Sequence, residues 1–193
     1  MALRYALLAL LRVGPLSGYD LAKVFHESVG HVWHAPDSQI YPELRKMEAE
    51  GLISGEEQLR GEKRRRRLYH VTEAGDQAFR DWMAEPPDYQ RIRDPAHLRA
   101  AYLEATTPES ARAFLDAHRA QWSSELERWE NEIARIRALT NPILVRRLAV
   151  TPEPERERTI AFKLFAYEGL VARARTEIEW ADRGLALVEQ LGA

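Results

Sequence analysis

The chain has 193 residues and no cysteine. It carries 28 Lys+Arg against 30 Asp+Glu, a net charge of −2, and 45% of its residues are apolar. The missing cysteines exclude a disulfide framework, a thiolate nucleophile and Cys-based zinc or iron–sulfur sites, and the apolar content is too high for a disordered chain. No apolar run approaches the roughly 20 residues of a bilayer span. Residues 1–12 lack a basic segment followed by a small-residue cleavage site. The expectation is a cytoplasmic protein of one or two domains with no membrane partner.

In chain order, Leu3, Ala6-Leu7 and Leu10-Leu11 recur at helical spacing until Gly14-Pro15. Ser17 with Asp20 resembles a capping box and opens a second helix that turns Leu21, Val24-Phe25 and Ser28-Val29 inward. A third helix starts at Asp37 or Ser38 with the stripe Ile40, Leu44, Met47 and Gly51. Pro42 conflicts with it, because the ring clashes with the Ser38 carbonyl, which predicts a distorted first turn there. After Gly51 the period changes. Residues 52–55 and 68–71 read as strands, and residues 56–67 between them as a hairpin with a basic tip. Thr72 caps a fourth helix carrying Ala78-Phe79 and Trp82-Met83. Three helices, a hairpin and a helix make a winged helix-turn-helix. Pro86-Pro87 then breaks the chain, giving a DNA-binding domain at 1–85 and a helical domain at 88–193.

The second half opens with two N-cap-plus-proline starts, Asp94-Pro95 and Thr107-Pro108. The latter begins a helix to about Leu139 with the stripe Leu115, His118, Trp122, Leu126, Trp129, Ile133 and Ile136, ended by Asn141-Pro142. A last helix starts near residues 152–155. Its apolar positions, from Ile160, Leu164, Tyr167 and Val171 through Ala174 and Ile178 to Ala181, Leu185 and Val188, step by four and three. Such a seam predicts coiled-coil-like packing against another long helix. The fold class is therefore mainly α: a winged helix-turn-helix followed by an all-α dimerisation domain, with Ile160, Leu164, Val171, Ile178 and Leu185 as candidate dimer contacts.

The near-zero net charge hides a local concentration. Residues 60–67 hold Arg60, Lys63, Arg64, Arg65, Arg66 and Arg67 against Glu62 alone, +5 over eight positions. Like charges this dense are tolerated when solvated or facing a polyanion, and on a wing their counterpart is a phosphate backbone. Strand alternation aims some of these arginines back towards the body. With the helix-3 stripe inward, Ser38, Gln39, Tyr41, Arg45 and Lys46 form a face of hydrogen-bonding and cationic groups suited to a major groove. Tyr19, at the start of helix 2, either reaches a phosphate beside free backbone N–H groups or packs on helix 3.

Other chemistry is sparse. His31 and His34, with His26 nearby, lie in a loop bounded by Gly30 and Pro36, so no metal site is expected, and His118 reads as a packed core histidine. Trp122, Trp129, Tyr102 and Phe165 serve either as core or as the wall of a pocket for a flat organic effector. With no Gly-rich phosphate loop, nucleophile elbow or zincin helix, neither an enzyme nor a cofactor is expected. A winged-helix protein-interaction module and a small-molecule-binding protein remain the competing classes.

Ser17-Gly18-Tyr19-Asp20-Leu21, the string from Ser38-Gln39-Ile40-Tyr41-Pro42-Glu43-Leu44 through Met47-Glu48 to Gly51-Leu52-Ile53, and Leu68-Tyr69-His70-Val71-Thr72-Glu73-Ala74-Gly75 resemble the PadR-type transcriptional regulators. The carboxyl half is similar to the all-helical, virulence-activator-like domain of their longer members. The resemblance implies a homodimer that binds double-stranded DNA at a pseudo-palindromic operator, represses transcription and releases DNA when an aromatic small molecule binds. It implies DNA contacts from Tyr19, Ser38, Gln39, Tyr41 and Lys46, and from Lys63, Arg64, Arg65 and Arg66 at the wing tip.

Overall fold

The computed structural model describes residues 2–60, 64–87 and 93–192, and for His31, Leu59, Arg60, Arg64 and Arg65 the backbone alone. The chain forms two compact units, Met1–Tyr89 and Gln90–Ala193. Among the described residues no helix is long and apolar enough to cross a membrane.

The first unit runs α1 (Ala2–Leu11), β1 (Leu16–Ser17), α2 (Gly18–Glu27), a 3-10 turn at Val29–His31, α3 (Asp37–Ala49), β2 (Ile53–Arg60), β3 (Arg64–Val71) and α4 (Glu73–Ala84). The apolar period of each helix becomes its buried face. Leu7, Leu8 and Leu11 of α1 meet Leu21 and Phe25 of α2 and Ile40, Leu44 and Met47 of α3 in a core from which water is excluded. Burial contributes about 1.5–3 kcal/mol for each large side chain. The Ser17 hydroxyl accepts from the Asp20 backbone N–H at 3.2 Å and donates to the Asp20 carboxylate at 2.8 Å, so the box closes through the side chains. Gly51, at φ +73, ends α3: its N–H donates to the Glu48 carbonyl at 3.0 Å and that of Leu52 to the Met47 carbonyl at 2.9 Å, a left-handed stop that suits glycine.

Pro42 departs from expectation. It sits inside α3, beyond the first turn, rather than in a distorted first turn. The helix begins at Asp37, so the ring removes only the donor to the Ser38 carbonyl near the helix start, while buried Ile40 and Leu44 hold the backbone on either side. The sheet is antiparallel with strand order β1-β3-β2. Its register pairs Leu16 with Tyr69, Ile53 with Val71 and Arg60 with Arg64, so the strands run much further towards the basic tip than the apolar signal alone reaches.

The second unit comprises α5 (Pro95–Ala100), a 3-10 turn at Leu103–Ala105, α6 (Pro108–Arg137), α7 (Pro142–Val150) and α8 (Glu153–Gly192). At about 1.5 Å per residue, α6 is about 45 Å long and α8 about 60 Å. Ion pairs Arg112–Glu189, Arg119–Asp182 and Arg175–Glu130 show that the two run antiparallel. Trp129, Ile133 and Ile136 of α6 close a core with Leu144 of α7 and with Tyr167, Val171 and Ala174 of α8, flanked by Trp122, Leu126, Ile160 and Leu164.

Two features of this unit go beyond the expectations. Asn141-Pro142 both ends α6 and starts α7: the Asn141 side-chain oxygen accepts from the Leu144 N–H at 2.7 Å. Its amide donates to the buried Glu132 carboxylate, which also accepts from Arg135 at 3.0 Å. The α8 seam, expected at a dimer contact, is taken up inside the chain. Ile160, Leu164 and Val171 pack on the α6–α7 core, and Ile178 and Leu185 lie half-buried on the same face. The side of α8 left to solvent carries Phe162 and Phe165, 64% and 73% exposed.

Candidate nucleic-acid interface

The burial of Ile40, Leu44 and Met47 fixes the rotation of α3, and that rotation exposes Ser38, Gln39, Tyr41, Arg45 and Lys46 together. Lys46 is loosely balanced by Glu50, one turn on, at 3.9 Å. Arg45 has no ion-pair partner among the described residues. The helix is buttressed from behind by Arg4, whose guanidinium reaches Glu43 and Glu50 at 2.9 Å each. At its start, His26 of α2 meets Asp37 at 2.8 Å.

Tyr19 is 72% exposed, so it is available to a ligand rather than packed on α3. The contact with α2 is made by Tyr41 instead: a Cβ at Gly18 would stand 3.2 Å from the Tyr41 ring and 3.7 Å from that of Tyr69. The absence of a side chain at Gly18 thus lets the two elements close up and leaves Tyr19 and Tyr41 bordering one surface.

On the wing, Lys63 lies outside the described residues, and Arg64 and Arg65 are described in backbone only, at the β3 positions opposite Arg60 and Leu59. The next two arginines pair with carboxylates of the neighbouring helices. Arg66 forms an ion pair with Asp20 and donates to the Ser17 hydroxyl at 3.1 Å, tying β3 to the start of α2. Arg67 reaches Glu48 of α3 at 2.5 Å, and that carboxylate raises the guanidinium's pKa above its ordinary value. Gly55, on the neighbouring strand, leaves the room: a Cβ there would collide with both Arg67 and Glu48. The brace between wing and α3 was not anticipated, since its members are separated in sequence and carry no joint signal. Together the elements present a helix face of hydrogen-bonding groups and a free guanidinium beside a strand of arginines. That surface is chemically able to read base edges and to neutralise phosphates.

The four residues expected at an effector pocket are not gathered. Trp129 is buried in the α6–α8 core and Trp122 packs against it, ring centroids 6.4 Å apart, whereas Tyr102 and Phe165 are 62% and 73% exposed at separate places. His118 is largely shielded, as expected of a packed histidine, and meets Glu177 at 3.1 Å. Among the described residues no cluster of His, Asp and Glu is arranged to hold a metal.

A three-helix motif with a braced β-wing defines the winged-helix class of regulators. Residues 7–81 match the transcriptional regulator PadR-like family. The negative transcriptional regulator PadR of Bacillus subtilis (strain 168) is 38% identical over 110 residues, 56% of this chain and 60% of that protein, so the aligned part spans under two thirds of the relative. Solved structures of Bacillus subtilis PadR match more widely. The complex with operator DNA gives a TM-score of 0.75 at 26% identity, covering 97% of this chain and 99% of that one. The complex with p-coumaric acid gives 0.71 at 26%, covering 98% and 99%. The Vibrio cholerae virulence activator AphA shares the fold, with a TM-score of 0.61 at 23% identity over 98% of this chain and 99% of its own. Residues 7–81 thus form a PadR-like domain, and the chain takes the fold of the PadR structures over nearly its whole length.

Proposed function

We propose that this chain is a homodimeric repressor that binds double-stranded DNA at a pseudo-palindromic operator through residues 1–85, and that residues 88–193 supply dimerisation and an effector response to an aromatic small molecule. The observation that carries the DNA reading is the face of α3. Ser38, Gln39, Tyr41, Arg45 and Lys46 are all exposed because Ile40, Leu44 and Met47 are all buried. α3 enters the major groove, with Gln39 and Ser38 at base edges and Arg45, Lys46, Tyr41 and Tyr19 on bases or phosphates. The wing residues Lys63, Arg64 and Arg65 lie along the flanking backbone. Arg66, held by Asp20, sets the wing's position and adds its charge. Bacillus subtilis PadR, crystallised with operator DNA and with p-coumaric acid, supports both halves of this reading by analogy.

For the dimer, the internal use of Ile160, Leu164 and Val171 moves the proposed contact to the opposite side of α8, where Phe162 and Phe165 are exposed. A neighbouring groove floored by Ala134 and Ala172 is rimmed by Glu130, Arg137, Glu168 and Arg175. The rim charges pair within the chain, Glu130 with Arg175 and Glu168 with Arg137, which leaves the apolar part of the groove to a partner. The test is binding of the full chain to a duplex carrying the promoter of its own gene, against random duplex at moderate salt. Preference for the promoter is expected, and equal binding to both refutes the regulator reading. Loss of preference in Arg45→Ala would assign it to α3.

A further inference from the structure

The start of α3 places a negative charge on a face that is otherwise hydrogen-bonding and cationic. Asp37 is the first residue of the helix, and its side chain is 60% exposed. Steps of four set Asp37, Tyr41 and Arg45 along one line of α3, and all three are exposed beside Ser38 and Gln39. None of the contacts assigned above uses this carboxylate. An exposed acid on a surface suited to DNA is costly, because every phosphate repels it.

The carboxylate is not spent on the helix itself. The position before it is Pro36, which makes no side-chain cap bond. Asp37 Oδ1 instead accepts from His26 Nε2 at 2.8 Å. An ionised carboxylate only accepts, so the imidazole proton lies on Nε2. His26 stands in the last turn of α2 and is itself 42% exposed. Among the described residues Asp37 Oδ2 has no partner. The pair bridges α2 and α3, fixes the direction of the Asp37 side chain and leaves one oxygen open at the tip of α3.

The chemistry of that oxygen selects what it meets. Against the phosphate backbone it faces like charge, and it offsets the attraction of a helix N-terminus for anions. Against base edges in the major groove it faces donors, the exocyclic amino groups of cytosine and adenine. Adenine sets its N7 acceptor beside the amino group, and N7 repels a carboxylate. Cytosine shows the donor alone. A side chain that can only accept therefore favours cytosine.

We infer that Asp37 is a specificity-determining residue that accepts from a cytosine amino group in each half-site, and that His26 is a positioning residue acting through it. The inference rests on the DNA reading above and adds the base that the first residue of α3 selects. The same charge weakens binding to DNA at large, so selectivity at one base pair is coupled to lower non-specific affinity.

The experiment is fluorescence anisotropy of the full chain on the duplex it selects from a random pool, on every single-base variant of the half-sites and on random duplex. Asp37→Ala, Asp37→Asn, His26→Ala and His26→Gln are compared with the parent. Both side chains are exposed, and circular dichroism melting checks that each variant is folded. The parent should prefer cytosine about fivefold or more at one position of each half-site. Asp37→Ala should cut that preference below about twofold, leave the other positions as they were and tighten binding to random duplex. Asp37→Asn, which sets a donor beside its acceptor, should move the preference to adenine. His26→Ala should relax the same position alone, and His26→Gln, which keeps an N–H donor, should restore part of it. An Asp37→Ala variant that keeps every base preference of the parent, or loses all of them alike, overturns the inference while the DNA reading stands. Relaxation at a position where the parent prefers a base other than cytosine overturns it too. A parent that binds no sequence better than random duplex refutes the DNA reading itself.

Discussion

Asn141 offers a sharp test of how the helical unit is held together. Its side chain does two jobs at once. The oxygen caps α7 through the Leu144 N–H at 2.7 Å, and the amide donates to Glu132, a carboxylate only 3% exposed. Asn141→Ala removes both. Loss of a cap costs about 0.5–2 kcal/mol, and taking a donor from a buried acceptor costs about 1–3 kcal/mol, so the unit should lose about 1.5–5 kcal/mol. Urea unfolding at neutral pH measures it, with Trp122, Trp129 and Trp180 reporting on this unit by fluorescence. Asn141→Asp separates the two roles. It keeps the oxygen that caps α7 but sets a second carboxylate against Glu132, so it should be at least as destabilising as the alanine. An alanine variant within about 0.5 kcal/mol of the parent, the range of an ordinary surface change, or a stable aspartate variant, would show that this buried pair does not hold α6 to α7.

Further outcomes follow from the structure. Gln39→Ala should relax selectivity at one base position by about 1–3 kcal/mol while leaving the salt dependence of binding unchanged; binding measured across single-base operator variants checks it. Gly55→Val should break the Arg67–Glu48 pair and weaken DNA binding severalfold for all sequences alike, with a stability change under about 1 kcal/mol because the pair is exposed. Phe165→Glu should shift sedimentation towards the monomer without loss of helicity. Ile178→Glu, on the inward face, should instead lower the melting temperature. Burial pushes the Tyr167 phenol up to about 12, against about 10 in the unfolded chain. Its stabilising contribution is therefore complete below pH 10 and is lost between pH 10 and about 12, and Tyr167→Phe should flatten that part of the stability profile.

Much of the architecture was legible because each helix carries its buried face as a period and its ends as punctuation. Ile40, Leu44 and Met47 gave the rotation of α3, and with it the exposed face, from spacing alone. What was not legible has physical causes. β1 is two residues long and owes its existence to pairing with Tyr69 and Leu68, a tertiary fact without a local pattern. α7 was hidden because Asn-Pro is both a stop and a start signal. The four-three seam of α8 announces a long helical partner but does not say whose, and the chain's own α6 fills it. Strand alternation aims some wing arginines back towards the body, but nothing near Arg66 and Arg67 in sequence marks Asp20 and Glu48 as their partners. The aromatic residues of the second half were open between core and pocket wall; two of them make core and two face solvent.

The central claim is that α3 and the wing read duplex DNA as a two-fold pair. Selection of bound duplexes from a random pool by the full chain, followed by a salt titration on the winning sequence, tests it most directly. The expected result is an enriched pseudo-palindrome with half-sites one helical turn, or a multiple of it, apart, and a log–log salt slope that falls by about one for each phosphate-contacting Lys or Arg replaced on the wing. A pool that emerges without a consensus, bound with the same salt slope after Arg64 and Arg65 are changed to alanine, would contradict it.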